Sequence, residues 1–211
     1  MNKTLHIISQ TLSILLYPLL IPTYGLILFA LGEHSSSLPL PAVYWWIAIG
    51  GTLFFTLLIP LTSIFVLIKA GRVSNLYIDH AGERTTPYLY TTVSFACWTY
   101  FLYHVLHMPA FLIHVAGGAT VALALVMLVN RFWKISAHLT AWGGLIGGLC
   151  SYCLYYGYQL TPMTMTLCTV VTILLMTARL YLQAHTPLQV VTGWLLGLLC
   201  TTLTTFTLYY V

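Results

Sequence analysis

Apolar residues fall into seven blocks along the chain, roughly 7–31, 44–68, 88–106, 109–129, 138–157, 162–182 and 187–210, with short polar or proline-bearing breaks between them. A helical crossing of a hydrocarbon core needs ~20 apolar residues. The pattern therefore predicts an all-α integral membrane protein, a bundle of six to seven transmembrane helices with short loops and an active site at one membrane face. Pro18 and Pro22 predict a kink in the first block, and His107-Met108-Pro109 predicts a tight hairpin between the third and fourth. Thr186-Pro187 reads as a helix start, with threonine as N-cap and proline at the first helical position. Gly143, Gly144, Gly147 and Gly148 form a small-residue stripe that predicts close helix packing. Trp45, Trp46, Tyr209 and Tyr210 suit the aromatic belts of a bilayer.

Alternating crossings place the N-terminus and loops 69–87, 130–137 and 183–186 on one face, and loops 32–43, 107–108 and 158–161 on the other. All seven Lys and Arg fall on the first face: Lys3, Lys69, Arg72, Arg84, Arg131, Lys134 and Arg179. Asp79, His80, Glu83, His138 and His185 join them, whereas the second face carries little beyond Glu33, His34 and His107. The chemistry is one-sided. Positive loops usually face the cytoplasm, so charge predicts a cytoplasmic site.

Composition narrows the class further. Only 5% of the residues are charged and 60% are hydrophobic, against ~25% charged in a soluble domain. The 211 residues are filled by the apolar blocks, which predicts a single transmembrane domain over 1–211 with no separate soluble domain. The formal charge of +4 is too small and too scattered for a nucleic-acid partner. The five cysteines, Cys97, Cys150, Cys153, Cys168 and Cys200, lie in apolar blocks and are expected to pack in the core. Cys150-Ser-Tyr-Cys153 has metal-like spacing but no second pair, so no metal or cofactor is expected. The first apolar block is too long for a cleavable signal peptide and lacks a small-residue cleavage site.

Three polar pieces meet on the charged face: Asp79–Pro87, Lys134–His138 and Arg179–Gly193. Arginine forks match phosphate oxygens, one histidine can attack phosphorus, and another can protonate the departing oxygen. Arg179, five residues, His185, three residues and Gln189 resemble the S-R-x5-H-x3-D motif of the phosphatidic acid phosphatase type 2 superfamily. Its form H-Y-P-S-D-V-L-A-G is similar to His185-Thr-Pro187-Leu-Gln189-Val-Val-Thr-Gly193, and its P-S-G-H to Ile135-Ser136-Ala137-His138. Its first motif, K-x6-R-P, is met loosely by Arg84 with Pro87, the lysine position falling on Tyr77. The resemblance covers roughly residues 77–197, the phosphatase-like core. It implies a metal-independent membrane phosphatase acting on a lipid phosphate or pyrophosphate. His185 would be the nucleophile that becomes phosphohistidine and His138 the general acid. Arg179, Arg84 and Ser136 would hold phosphate oxygens, with Lys134 able to stand in for the missing lysine. Many bacterial relatives of that family work on the outer side of the inner membrane, opposite to the face that charge predicts.

Gln189 stands where the family has an aspartate. It can still accept the imidazole Nδ1–H, though without charge, and Thr186-x-x-Gln189 also fits a capping box. Two rivals to the phosphatase follow from the residues. One is an inactive relative that binds lipid phosphates, suggested by Gln189, Ala178 and the missing lysine. The other is a haem or quinone membrane protein, which would place histidine pairs deep in facing helices. His104 and His114 are expected as interhelical hydrogen-bonders, and Tyr152, Tyr155 and Tyr156 as interface or core. The lipid itself is open: phosphatidic acid, phosphatidylglycerol phosphate, a polyprenyl pyrophosphate and a lipid A phosphate all fit, with the bilayer as the other partner.

Overall fold

A computed structural model describes residues 2–31, 40–75, 81–157 and 159–207. The described chain is helical: α1 (Lys3–Leu15), α2 (Ile21–Leu31), α3 (Ala42–Leu53), α4 (Ile59–Lys69), α5 (Thr85–Tyr100), α6 (Ala110–Val129), α7 (Ala137–Tyr156), α8 (Pro162–Tyr181) and α9 (Pro187–Phe206). Four stretches are long and apolar enough to cross a membrane: Ala42–Lys69, Ala110–Val129, Pro162–Tyr181 and Pro187–Phe206. The chain is thus an all-α integral membrane bundle.

The expected single kinked first helix is instead two. α1 stops at Leu15 and α2 starts at Ile21, because Pro18 has no N–H to continue the ladder. Tyr24 Oη closes the break by donating to the Leu15 carbonyl at 3.0 Å. α3 and α4 run on through a π-helical turn, Phe54–Leu58, just before Pro60. A proline ring pushes away the carbonyl four residues back, and a π turn absorbs that shift. Partners from neighbouring elements take up polar groups there: Ser94 Oγ donates to the Phe55 carbonyl at 2.5 Å, and Thr56 Oγ1 to the Leu19 carbonyl at 3.0 Å. The α5–α6 hairpin forms at His107, whose φ of 48° turns the chain, while Met108 is buried beneath it.

α9 is the central element, packed between α6 and α7. Glycines permit this. A side-chain carbon at Gly118 of α6 would come within 2.7 Å of Thr201 Cα, and one at Gly147 of α7 within 2.6 Å of the Leu198 carbonyl. From α9 itself, a side-chain carbon at Gly193 would come within 2.7 Å of the Ser136 carbonyl oxygen, and one at Gly197 would overlap the carbonyl of Thr140. Thr201, fully buried, donates to the Gly144 carbonyl at 3.0 Å across the same seam. The glycine stripe thus packs as its spacing suggested.

Several expected positions differ. Trp45 is buried, leaving Trp46 as the exposed ring of that pair, and Tyr209 and Tyr210 lie outside the described residues. Of the cysteines only Cys200 is buried, and Cys97 lies on the outer surface. His104 is also outward, against the rings of Tyr100 and Tyr103, rather than bridging helices. His114 does bridge, its Nδ1 lying 2.7 Å from the Thr204 carbonyl of α9. Tyr152 is buried against Phe29 and Phe111. We predict that Gly197→Ala destabilises the protein by about 1–3 kcal/mol through overpacking, while Gly117→Ala, which meets no atom within 4 Å, does not. Thermal unfolding in detergent micelles checks this, and equal midpoints for the two variants would contradict the close seam.

Candidate active site

The α7–α9 seam brings two helix starts together. At its end the Ser136 N–H donates to the Gln189 carbonyl at 3.2 Å, linking the residue before α7 to the first turn of α9. Each start leaves N–H groups without intrahelical partners and a partial positive charge. Ser136 sits at the N-cap position of α7, yet its hydroxyl makes no capping bond. That oxygen is fully buried and has no hydrogen-bond partner among the described residues. A buried unpaired hydroxyl is costly and rare.

His185 lies on the turn between α8 and α9. The turn is made by Gln183, which takes a φ of 52°, and by the Ala184 N–H donating to the Arg179 carbonyl at 3.2 Å. This is the left-handed helix ending usually given to glycine. It carries the chain from Arg179, in the last turn of α8, to Thr186 at the head of α9. Gln189 then serves two neighbours with one oxygen. Its Oε1 lies 3.3 Å from His185 Nδ1 and accepts the Thr186 N–H at 3.1 Å, closing a capping box. The relay and the cap, both open from sequence, coexist.

Burial holds His185 well below the ordinary imidazole range, at about 4, and Arg179, Lys134 and Arg84 push the same way; only the Gln189 hydrogen bond opposes them. Among the described residues, the charges acting on this ring are all cationic. At neutral pH it is an uncharged imidazole, with Nδ1–H engaged by Gln189 and the Nε2 lone pair available.

His138, the second residue of α7, lies within electrostatic reach of Arg179 and His185 and stands edge-on to Tyr17. Its Nε2 is 3.1 Å from the Ser13 carbonyl. Arg179 Nη1 donates to Ser13 Oγ at 3.3 Å, while its Nε is buried with no hydrogen-bond partner among the described residues. Arg84 is buried, and Tyr88 interacts electrostatically with both arginines. Glu83 Oε2 accepts from the Ser74 N–H at 2.8 Å and from Ser74 Oγ at 2.9 Å, tying the turn after α4 to the start of α5. Asp79, His80 and Tyr77 lie outside the described residues.

His185, His138, Gln189, Arg179, Arg84, Ser136 and Lys134 therefore come from three sequence pieces to one end of the bundle. Ser13 and Tyr88 were not anticipated. Ser13 had a faint signal, since Ser9 and Ser13 put hydroxyls at helical spacing inside an apolar block. Among the described residues no three His, Cys, Asp or Glu side chains are grouped as metal ligands would be.

The family model of the PAP2 superfamily matches residues 84–210. The match covers more than half of the chain, and the protein belongs to this superfamily. Neither the curated proteins nor the solved structures yield a match. Membership points to phosphatase activity on a phosphate substrate in a membrane protein.

The depressed His185 value has a pH consequence. The fold favours the neutral ring, so its contribution to stability is complete above pH 6.5 and is lost as pH falls toward about 4. Modification of His185 by diethyl pyrocarbonate, followed by peptide mass spectrometry, should decline on acidification with a midpoint near 4; a midpoint at the ordinary 6.5 would contradict the buried cationic setting.

Proposed function

We propose that the protein hydrolyses a lipid phosphate or pyrophosphate through a phosphohistidine at His185. The observation that carries this reading is the pair of buried groups without a hydrogen-bond partner among the described residues, Ser136 Oγ at the start of α7 and Arg179 Nε at the end of α8, in a setting of cations around His185. Helix N-termini and arginine forks are complementary to phosphate oxygens. Arg179, Arg84, Lys134 and Ser136 would hold the non-bridging oxygens. The His185 Nε2 lone pair forms the P–N bond as the bond from phosphorus to the leaving oxygen breaks, and protonated His138 gives its proton to that oxygen. Water then attacks phosphorus, His138 takes back a proton, and the P–N bond breaks to free inorganic phosphate. Gln189 fixes the His185 tautomer throughout.

An apolar cavity of about 110 Å³ supports a lipidic substrate. Its lining runs from Pro18, Ala137 and Thr140, beside Ser136, to Phe29, Leu102 and Leu112 at the other ends of their helices. An apolar space of this size stays dry and accepts hydrocarbon. The rival, a lipid-phosphate binder without turnover, rests on Gln189 replacing a carboxylate. Phosphate release from a panel of lipid phosphates by the purified wild type separates the two.

If the wild type turns over, His185→Ala and His138→Ala should each lower phosphate release by roughly 10³-fold or more in folded protein. Near-normal turnover in either would overturn the assigned roles. Gln189→Ala should lower turnover, because the ring loses its anchor, whereas Gln189→Asp should preserve or raise it. A carboxylate ~3 Å from a developing imidazolium contributes up to a few kcal/mol at an effective dielectric of ~20. Loss of activity in folded Gln189→Asp would show that the neutral amide is required.

A further inference from the structure

The family region begins at residue 84, so α1 lies outside it. Yet one residue of α1 touches two groups of the site. The Ser13 carbonyl accepts the His138 Nε2–H at 3.1 Å. This carbonyl is not used by the helix ladder, since the Tyr17 N–H four residues on bonds the Ile14 carbonyl at 3.2 Å. Ser13 Oγ donates to the Ser9 carbonyl at 2.9 Å, which leaves its lone pairs to Arg179 Nη1 at 3.3 Å. Ser9 and Ser13 are the buried residues of α1, while Leu5, Ile7, Ile8, Ile14 and Leu15 face outward. The helix thus turns its two serine hydroxyls toward the bundle.

We propose that Ser13, at the C-terminal end of α1, is the positioning residue of the site: its carbonyl holds the general acid His138 and its hydroxyl holds the phosphate-binding Arg179. This rests on the phosphatase reading above. With Nε2–H committed to Ser13, Nδ1 is the atom of His138 that exchanges a proton with the leaving oxygen. The open C-terminal end of a helix carries partial negative charge and favours a nearby imidazolium. The other groups facing His138 act against that cation or leave it unaided: Arg179 from α8, His185 from the turn before α9, and the positive N-terminus of α7, with the Tyr17 ring edge-on. The α1 end therefore supports the acid form where its surroundings oppose it. The Ser13 hydroxyl, by fixing Nη1, sets the guanidinium plane in which the unpartnered Nε lies.

The test uses the full-length protein in detergent, with vanadate as the phosphate mimic and two substrates, a long-chain alkyl phosphate and p-nitrophenyl phosphate. Ser13→Ala should weaken vanadate inhibition roughly tenfold, as expected for losing a hydrogen bond to a charged group, without shifting the unfolding midpoint. Ser13→Thr should restore it. Ser9→Ala, which removes the other buried hydroxyl of α1, should leave vanadate inhibition unchanged. The carbonyl is probed by an ester in place of the Ser13–Ile14 amide, which keeps the side chain and weakens that oxygen as an acceptor. Turnover of the alkyl phosphate, whose leaving oxygen needs a proton, should then fall more than that of p-nitrophenyl phosphate. Unchanged vanadate inhibition in Ser13→Ala, or equal losses on both substrates in the ester variant, would overturn the proposal while leaving the phosphatase intact. A wild type that hydrolyses neither substrate nor any lipid phosphate would overturn both.

Discussion

The backbone-to-backbone approach of α7 and α9 is the contact on which the rest of the structure depends. Gly143, Gly147, Gly193 and Gly197 let main chain meet main chain along the seam, and the Ser136–Gln189 hydrogen bond closes its end. Lipid offers helices no hydrophobic reason to associate, so small residues and close van der Waals contact must supply it. Here the same contact also sets the geometry of the candidate site. The separation of the two helix starts, and with it the spacing of Ser136, His138 and His185, follows from how near the two axes can come. A side chain at any of these glycines would move the site apart as well as weaken the fold.

Electrostatics makes the assembled end of the bundle a place for an anion. Arg179, Lys134 and Arg84 all act on His185, and among the described residues no negative group acts on that ring to offset them. Gln189, a neutral amide, adds no charge to offset them. The amide keeps the hydrogen-bond geometry, serving ring and helix cap with one oxygen, but leaves compensation of the cations to the ligand. On the phosphatase reading, binding of a multiply charged phosphate is favoured by that exchange, while the imidazolium-like character that would develop on His185 during attack receives less help.

Much of this was legible in the sequence, and the exceptions share a cause. Thr186-Pro187, the glycine stripe, the hairpin at His107 and the arginine and histidine pieces declared themselves because turns, glycine contacts and charges in a membrane chain have few uses. The placement of Trp45, Cys97 and His104 did not. In a soluble helix the apolar face is the inner face, but in a bilayer the outer surface is also apolar, so periodicity loses its power to tell core from lipid side. α1 reverses the usual rule, with Ser9 and Ser13 inward and Leu5, Ile7, Ile8, Ile14 and Leu15 outward. The partners of Ser13 were illegible for a second reason: His138 and Arg179 lie 125 and 166 residues away, and no local pattern links them to its faint serine signal.

The unpartnered Ser136 hydroxyl and Arg179 Nε bear on the last step of a catalytic cycle as much as on the first. A site that leaves buried polar groups unsatisfied when empty is stabilised by any phosphate that enters, whether or not it is attached to a lipid. On the phosphatase reading, inorganic phosphate left behind after hydrolysis satisfies the same groups as the substrate did, and its escape must re-expose them. Product release then competes with chemistry for control of the rate, and the free phosphate concentration on the side where the site opens becomes a throttle on the protein's throughput.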